Sequence, residues 1–207
     1  MTKGIFITFE GIEGSGKTTQ VNLLAEKFKA EGFKVLKTFE PGDTLAGKKI
    51  REILLNSNVP INSLCELLLY FADRVQHVEE VIKPALKEGY IVICDRFTDS
   101  TLAYQGFGRG VSIDLIRNLN KMLLGDFMPD FTVLLDLQAE IGLKRNKDIN
   151  KRDRFEMEDI KFHNKVREGY LQIASIEKER FLVIDAYRPP IEICEEVHRK
   201  ISLIFGL

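Results

Sequence analysis

Cysteine is scarce: the 207 residues contain Cys65, Cys94 and Cys194, widely spaced and with no C-x-x-C pair. That argues against a disulfide framework and against a cysteine-based metal site, and it matches a reducing compartment, so a cytoplasmic location is expected. Neither sign of charge dominates, with 30 basic against 31 acidic residues. This balance gives no reason to expect nucleic acid or a membrane surface as partner, and any anionic ligand must be met by a local cluster of Arg and Lys. No apolar run is long enough to span a bilayer, and Met1-Thr2-Lys3-Gly4 leads directly into an apolar stretch, so no signal peptide is expected. Internal repeats, linkers and low-complexity tracts are also missing, which leaves one domain over 1–207.

What is present is alternation. Short apolar runs at Ile5–Phe9, Phe33–Phe39, Tyr90–Cys94, Phe131–Asp136 and Phe181–Asp185 read as strands, and amphipathic stretches between them read as helices. A capping box at Ser63-Leu64-Cys65-Glu66 should open a long helix that Pro84 kinks or ends. Thr98 to Gly110 reads as a polar, aromatic connection, followed by a helix over 112–124. The pattern predicts an α/β fold, a five-stranded parallel sheet with helices on both faces. Ligands of such a sheet gather outside the carboxyl ends of its strands.

The strongest local signal stands after the first strand. Gly11-Ile12-Glu13-Gly14-Ser15-Gly16-Lys17-Thr18 fits G-x-x-x-x-G-K-[ST], the phosphate-binding P-loop. Its glycines let backbone amides point inward at phosphate oxygens. Lys17 would reach the β and γ phosphates, and the Thr18 hydroxyl would ligate Mg²⁺. The following residues, Thr19 onward, carry Val21, Leu24, Ala25 and Phe28 at helical spacing, so the anion would sit at a helix N-terminus.

A P-loop specifies nucleotide phosphates and no particular reaction. A guanine-reading Asn-Lys-x-Asp after a strand is missing, and so is the signature loop of a transport ATPase. Asp95-Arg96 ends the third strand, where the acid can hold Mg²⁺ or its water and the arginine can fork onto a phosphate. Asp136 is a rival strand-end acid with no basic residue after it, which suits a supporting role. Arg145, Lys147, Lys151, Arg152 and Arg154 form a basic cluster between two helices, the composition of a lid over 145–155 that brings cations to a transferring phosphoryl group. Tyr70 and Arg74, four apart on the long helix, share a face that could stack on and hydrogen-bond a planar base.

With those residues assembled, the whole chain resembles the thymidylate kinase family, bacterial type. The resemblance rests on Phe9 to Gln20, Glu40-Pro41-Gly42, Lys49-Ile50-Arg51, Tyr70 to Arg74, Ile82 to Leu86, Pro129-Asp130 and, most specifically, Asp95-Arg96-Phe97-Thr98-Asp99-Ser100-Thr101-Leu102-Ala103-Tyr104-Gln105-Gly106. It implies a P-loop nucleotide kinase fold, a homodimer with a mobile lid, and transfer of the ATP γ-phosphoryl to dTMP with Mg²⁺. It implies that Arg51 and Arg96 hold the dTMP phosphate, and that Glu13 approaches the sugar 3′-hydroxyl or the magnesium shell. Arg74 would hydrogen-bond thymine while Tyr70 stacks on it, Phe71 substituting if the helix is rotated. Thr101 and Gln105 would read the base edge, and Tyr104 would favour deoxyribose. Asp95 would assist Mg²⁺ and Lys17 the migrating phosphoryl. The chain departs from the family pattern at Phe39 and Asp43, which flank Glu-Pro-Gly where the family has Arg and Gly, at Tyr70 in place of Phe, and at Ile149 in the lid. With Gly14 where an arginine could stand, the catalytic cation should come from the lid, from Arg145 or Arg152 above all. A deoxynucleoside kinase and a non-catalytic nucleotide switch are the rival readings.

Overall fold

The computed structural model describes residues 4–147, 154–155 and 157–207. Five parallel strands form one sheet: β1 (Ile5–Glu10), β2 (Val35–Phe39), β3 (Ile91–Asp95), β4 (Phe131–Asp136) and β5 (Phe181–Asp185). They stand in the order β2-β3-β1-β4-β5, so the expected all-parallel α/β architecture is present. The inner strands are near-continuous apolar runs because helices cover both of their faces. Alternate residues go to opposite sides. Phe6, Val92 and Cys94 pack with Val78, Ile82 and Phe97, whereas Ile7, Phe9 and Ile93 join Leu24 and Phe28 of helix α1 (Lys17–Ala30) in the larger core. β1 lies between β3 and β4, and Phe9 is in register with Asp95, which brings the P-loop and the end of β3 side by side.

Helices α2 (Leu45–Leu55) and α3 (Ser63–His77) follow β2. Thr44 caps α2, its side chain accepting from the Gly47 amide. The expected capping box at Ser63 is corrected: Asn62 is the cap, accepting from the Cys65 amide at 2.8 Å, and Ser63 is already helical. Pro84 does not end this helix. It continues through a wide π turn, π1 (Val78–Ile82), into α4 (Lys83–Lys87). There the Lys83 amide reaches back five residues to Val78, and the proline falls in the first turn of α4, where its missing N–H matters least.

The stretch from Thr98 also differs from expectation. It is helical, as α5 (Thr98–Thr101) and a second π segment, π2 (Leu102–Gly108). Its polar residues satisfied no simple period because a π turn shifts the face they share. Helices α6 (Ile113–Leu124), α7 (Ala139–Lys147), α8 (Ile160–Ile176) and α9 (Pro190–Phe205) complete the chain. α8 lies close on π2: a Cβ on Gly169 would stand 2.6 Å from the Phe107 ring, so glycine sets that approach. Among the described residues no helix is long and apolar enough to cross a membrane.

Candidate active site

The P-loop closes on itself. Lys17 is 7% exposed, and its ammonium donates to the carbonyls of Gly11 (3.0 Å) and Ile12 (2.8 Å) and to Ser15 Oγ (3.3 Å). Burial, with repulsion from Arg96 next, pulls this lysine down to about 8. Gly14 has φ +71°, and a Cβ there would stand 2.2 Å from the Gly142 carbonyl oxygen of α7. Gly16 takes the left-handed conformation ahead of α1 with no side-chain cap, which leaves the first amides of the helix to an anion. Thr18 and Thr19 are exposed at that first turn.

Thr18 Oγ1 donates to Asp95 Oδ2 at 2.6 Å, so the hydroxyl and the strand-end carboxylate converge as expected. Two hard oxygen donors suit Mg²⁺, which takes its remaining ligands from water and phosphate. Among the described residues no group of three His, Cys, Asp or Glu side chains could hold a metal by itself. Asp136 is engaged elsewhere, in a two-pronged ion pair with Arg167 of α8 at 2.6 and 2.9 Å.

Arg96 adopts φ +72°, the one positive-φ residue other than glycine among those described. Holding it there costs roughly 1–3 kcal/mol. Five contacts over-determine it: its guanidinium donates to the Gly11 carbonyl (3.0 Å), Glu13 Oε1 (3.0 Å), Tyr170 Oη (3.2 Å) and Ser100 Oγ (3.3 Å), and it lies 4.9 Å over the Tyr104 ring.

Two carboxylates three residues apart are driven in opposite directions. Burial, then the charge of Asp99, pushes Glu10 up to about 7, although Ser100, Arg96 and the Phe97 amide oppose it. Burial also works against Glu13, but Arg96, His163, Lys17 and the Tyr104 hydroxyl outweigh it and hold Glu13 at about 2. Glu10 accepts from the Phe97 amide (2.7 Å), Ser100 Oγ (2.6 Å) and Tyr170 Oη (2.9 Å), and so braces the partners of Arg96. Tyr104 Oη donates to Glu13 at 2.6 Å. The other Glu13 oxygen has no hydrogen bond and stands 3.4 Å from His163 Nδ1.

Lys17, Thr18 and Asp95 line a cavity of about 650 Å³ together with Arg51, Tyr70, Arg74, Arg96, Thr101, Tyr104 and Gln105. Phe71 is not among its lining residues. It is 1% exposed and lies under the Arg74 guanidinium, packed in the core, while Tyr70 and Arg74 line the cavity. Arg51 donates to the Pro41 carbonyl at 2.6 Å. Arg74 is buried and donates to Glu40 (2.8 Å), Thr101 (2.9 Å) and the Phe97 carbonyl (3.1 Å). Gln105 gives its amide N–H to Glu66 at 2.8 Å.

Of the lid residues, Arg145 is exposed on α7 and reaches the carbonyls of Ala186 (3.2 Å) and Gly14 (3.5 Å), outside the cavity but against the P-loop. Arg154 donates to Glu66, and Phe155 beside it lines the cavity, 5.6 Å from the Tyr104 ring and 6.4 Å from Tyr70. Ile149, Lys151 and Arg152 lie outside the described residues. The sequence reading assigned no part in the site to Glu10, Glu40, Glu66, Ser100, Phe155, His163 or Tyr170, and took Glu66 only for a helix cap. Glu10, Glu40 and Ser100 stand inside motifs already singled out, but burial and pairing of a Glu leave no trace in one sequence. Phe155 was hidden in a charged run.

A strand, glycine loop and helix at the centre of an all-parallel sheet, beside a cavity that presents three arginines, defines a P-loop nucleoside-monophosphate kinase fold. Residues 9–201 match the family model for thymidylate kinase. The chain belongs to the thymidylate kinase family. It is 49% identical over 205 residues to the thymidylate kinase of Maridesulfovibrio salexigens, covering 95% of this chain and 94% of that one. It is 47% identical over 203 residues to that of Halothermothrix orenii, with 97% of each covered, and 53% identical over 190 residues to that of Geotalea daltonii, with 88% and 89% covered.

Proposed function

We propose that the protein transfers the γ-phosphoryl of ATP to dTMP, giving dTDP and ADP for dTTP synthesis. The observation that carries this reading is a single cavity lined both by Gly14, Lys17 and Thr18 of the P-loop and by Arg51, Arg74 and Arg96, which gives room for an acceptor phosphate beside those of the donor. ATP phosphates replace the carbonyls that Lys17 now contacts, and their negative charge restores the ammonium that burial had weakened. Thr18 and Asp95 would hold Mg²⁺, which would supply positive charge to offset that of the nucleotide phosphates. Arg51 and Arg96 take the dTMP phosphate and aim its oxygen at the γ-phosphorus. Arg74 and Thr101 meet the thymine carbonyl edge, and Gln105, its N–H₂ engaged by Glu66, turns its carbonyl to the base N–H. Tyr70 and Phe155 face the base plane. The Tyr104–Glu13 pair fills the space beside the sugar and favours deoxyribose. In-line transfer needs positioning and charge neutralisation more than covalent help. Arg145, already on the loop carbonyl of Gly14, is our candidate for the cation that follows the migrating phosphoryl, with Arg152 as the alternative.

A deoxynucleoside kinase would need a base for a 5′-hydroxyl. Glu13, held near 2 and committed to Arg96 and Tyr104, is a poor proton acceptor, and three arginines facing the acceptor favour a phosphorylated one. The deciding assay follows ADP release with dTMP, dUMP, dGMP and thymidine supplied separately. Turnover of thymidine but not dTMP rejects the proposal, and dTMP binding without ADP release would favour a non-catalytic switch. We further propose a cytoplasmic homodimer of single-domain chains. The exposed Leu64 and Leu68 of α3 and Leu115, Met122 and Leu123 of α6 offer an apolar face for a second copy. Light scattering of the purified protein gives its mass, and a monomer of 23.7 kDa would exclude the dimer.

A further inference from the structure

A hydrogen-bonded chain leads from the loop after β2 into the acceptor cavity. Thr38 Oγ1 lies 2.5 Å from Asp43 Oδ2 and 2.5 Å from His77 Nε2. His77 Nδ1 lies 2.9 Å from Glu40 Oε1, and Glu40 Oε2 accepts from Arg74 Nε at 2.8 Å. Arg74 lines the cavity. His77, Glu40 and Thr38 are buried and Asp43 is half-buried, so bulk water cannot supply a bond left unmade between His77 and its two partners.

Protons along this chain can be counted without choosing a tautomer. Thr38 has one hydroxyl proton. If it goes to Asp43, His77 Nε2 must donate to Thr38, and a neutral ring then turns the bare lone pair of Nδ1 toward Glu40. If it goes to His77, Nδ1 can donate to Glu40, but Thr38 and Asp43 then face one another with lone pairs alone. With both carboxylates ionised and the ring neutral, one bond is always missing. One additional proton completes all of them: His77 donates to Thr38 and to Glu40, and Thr38 donates to Asp43.

We propose that the Asp43–Thr38–His77–Glu40 chain retains this additional proton, so that a doubly protonated His77 clamps Glu40 and acts as a positioning residue for Arg74 and the acceptor nucleotide. The surroundings agree. Glu40 meets the ring from the β2–α2 loop and Asp43 meets it through Thr38, Asp73 and Arg74 stand beside it on α3, Cys94 of β3 lies near Glu40 and Arg74, and the Arg51 guanidinium on α2 is turned to the Pro41 carbonyl. Three carboxyl groups against Arg74 favour a cation at His77. Asp73, raised to about 6 by burial and then by the charge of Glu40, is drawn back by His77 first and Arg74 next. Burial holds the Cys94 thiol neutral.

The consequence for turnover rests on the reading of this cavity as the dTMP site. Loss of the proton leaves one bond of the chain unmade; when the gap falls between His77 and Glu40 it sets a lone pair against the carboxylate, loosens Arg74 and weakens dTMP binding, while the ATP side is untouched. Asp43→Ala removes the demand for the extra proton, because a neutral ring can then accept from Thr38 and donate to Glu40. The test is ¹⁵N NMR of the histidine-labelled full chain at about pH 7, where an isolated imidazole is close to its own titration. His77 signals are assigned by their loss in His77→Gln. Both His77 nitrogens should be protonated in the wild type, and Nδ1 alone in Asp43→Ala. A neutral His77 ring in the wild type overturns the proposal whatever the substrate proves to be. In steady-state assays KM for dTMP should rise about tenfold between about pH 7 and about pH 9 in the wild type, and less than threefold in Asp43→Ala, with KM for ATP moving equally in both. Parallel dTMP profiles would overturn the positioning role. A doubly protonated ring in a protein that ignores dTMP would uphold the proton count and reject the substrate reading.

Discussion

The donor and acceptor halves of the site are built by different means. The donor half is one contiguous turn, Gly11 to Thr18, that works through backbone amides, a helix N-terminus and a single lysine. The acceptor half is drawn from α3, π2, α8 and the loop after β2, and it works through buried charges that hold one another: Arg74 on Glu40, Arg96 on Glu13, and Gln105, Arg109 and Arg154 on Glu66. A phosphate can be cradled by main chain, which is the same at every position. A particular base and sugar need particular side chains, and buried charged side chains keep their geometry only when each has a partner.

That comparison can be broken, and the largest effect belongs to the donor half. Lys17→Ala should lower kcat by about 10³ or more with KM for dTMP nearly unchanged, since an interaction with developing phosphoryl charge is lost. A raised dTMP KM in stopped-time ADP assays would mean the halves are not separable. Next, Glu40→Ala strands Arg74 and His77, both almost fully buried, and should cost about 3–5 kcal/mol in urea unfolding as well as weaken dTMP. A loss under 1 kcal/mol would show that the acceptor half does not depend on pairing.

The two carboxylates at the junction give a third test. Glu10, raised to about 7, binds a proton in the folded state that the unfolded chain releases near 4.5, so its contribution is present at low pH and lost as pH rises from about 4.5 to about 7. Glu10→Gln should therefore gain Tm relative to wild type between pH 5 and pH 8, by on the order of 5 °C. Glu13, lowered to about 2, behaves oppositely: its contribution is present above about 4.5 and lost as pH falls toward 2. Calorimetry of Glu13→Gln should show a Tm deficit at pH 6 that shrinks on acidification, and a constant deficit would contradict the shift. The smallest effect is expected from Tyr104→Phe, which removes one hydrogen bond to Glu13 and should raise KM for dTMP about three- to tenfold with kcat retained.

Much of the fold was legible because its signals are local. Apolar runs of five or six residues marked β1, β3, β4 and β5 within a residue, and the glycine loop announced itself by spacing. The errors have local causes as well. Asn62 displaced Ser63 as cap one residue earlier, Pro84 was absorbed by a π turn, and π2 concealed a helix whose faces no α-helical period describes. In the site, Thr18 and Asp95 met as their motifs implied. Phe71, on the face next to Tyr70 and Arg74, went to the core while those two line the cavity.

By itself the sequence determined the order of strands and helices, the P-loop, the strand-end Asp95-Arg96 and the family, because each depends on residue type at fixed spacing along the chain. Only the tertiary structure decided which acids carry weight. Glu10 and Glu13 stand three residues apart and titrate about five units apart, at about 7 and about 2. Burial weighs on both; at Glu13 it is outweighed by Arg96, His163, Lys17 and Tyr104, whereas at Glu10 the charge of Asp99 adds to it and Ser100, Arg96 and the Phe97 amide offset only part, and most of these neighbours arrive from elsewhere in the chain. Desolvation and charge pairing act through space, so their outcome is set by packing.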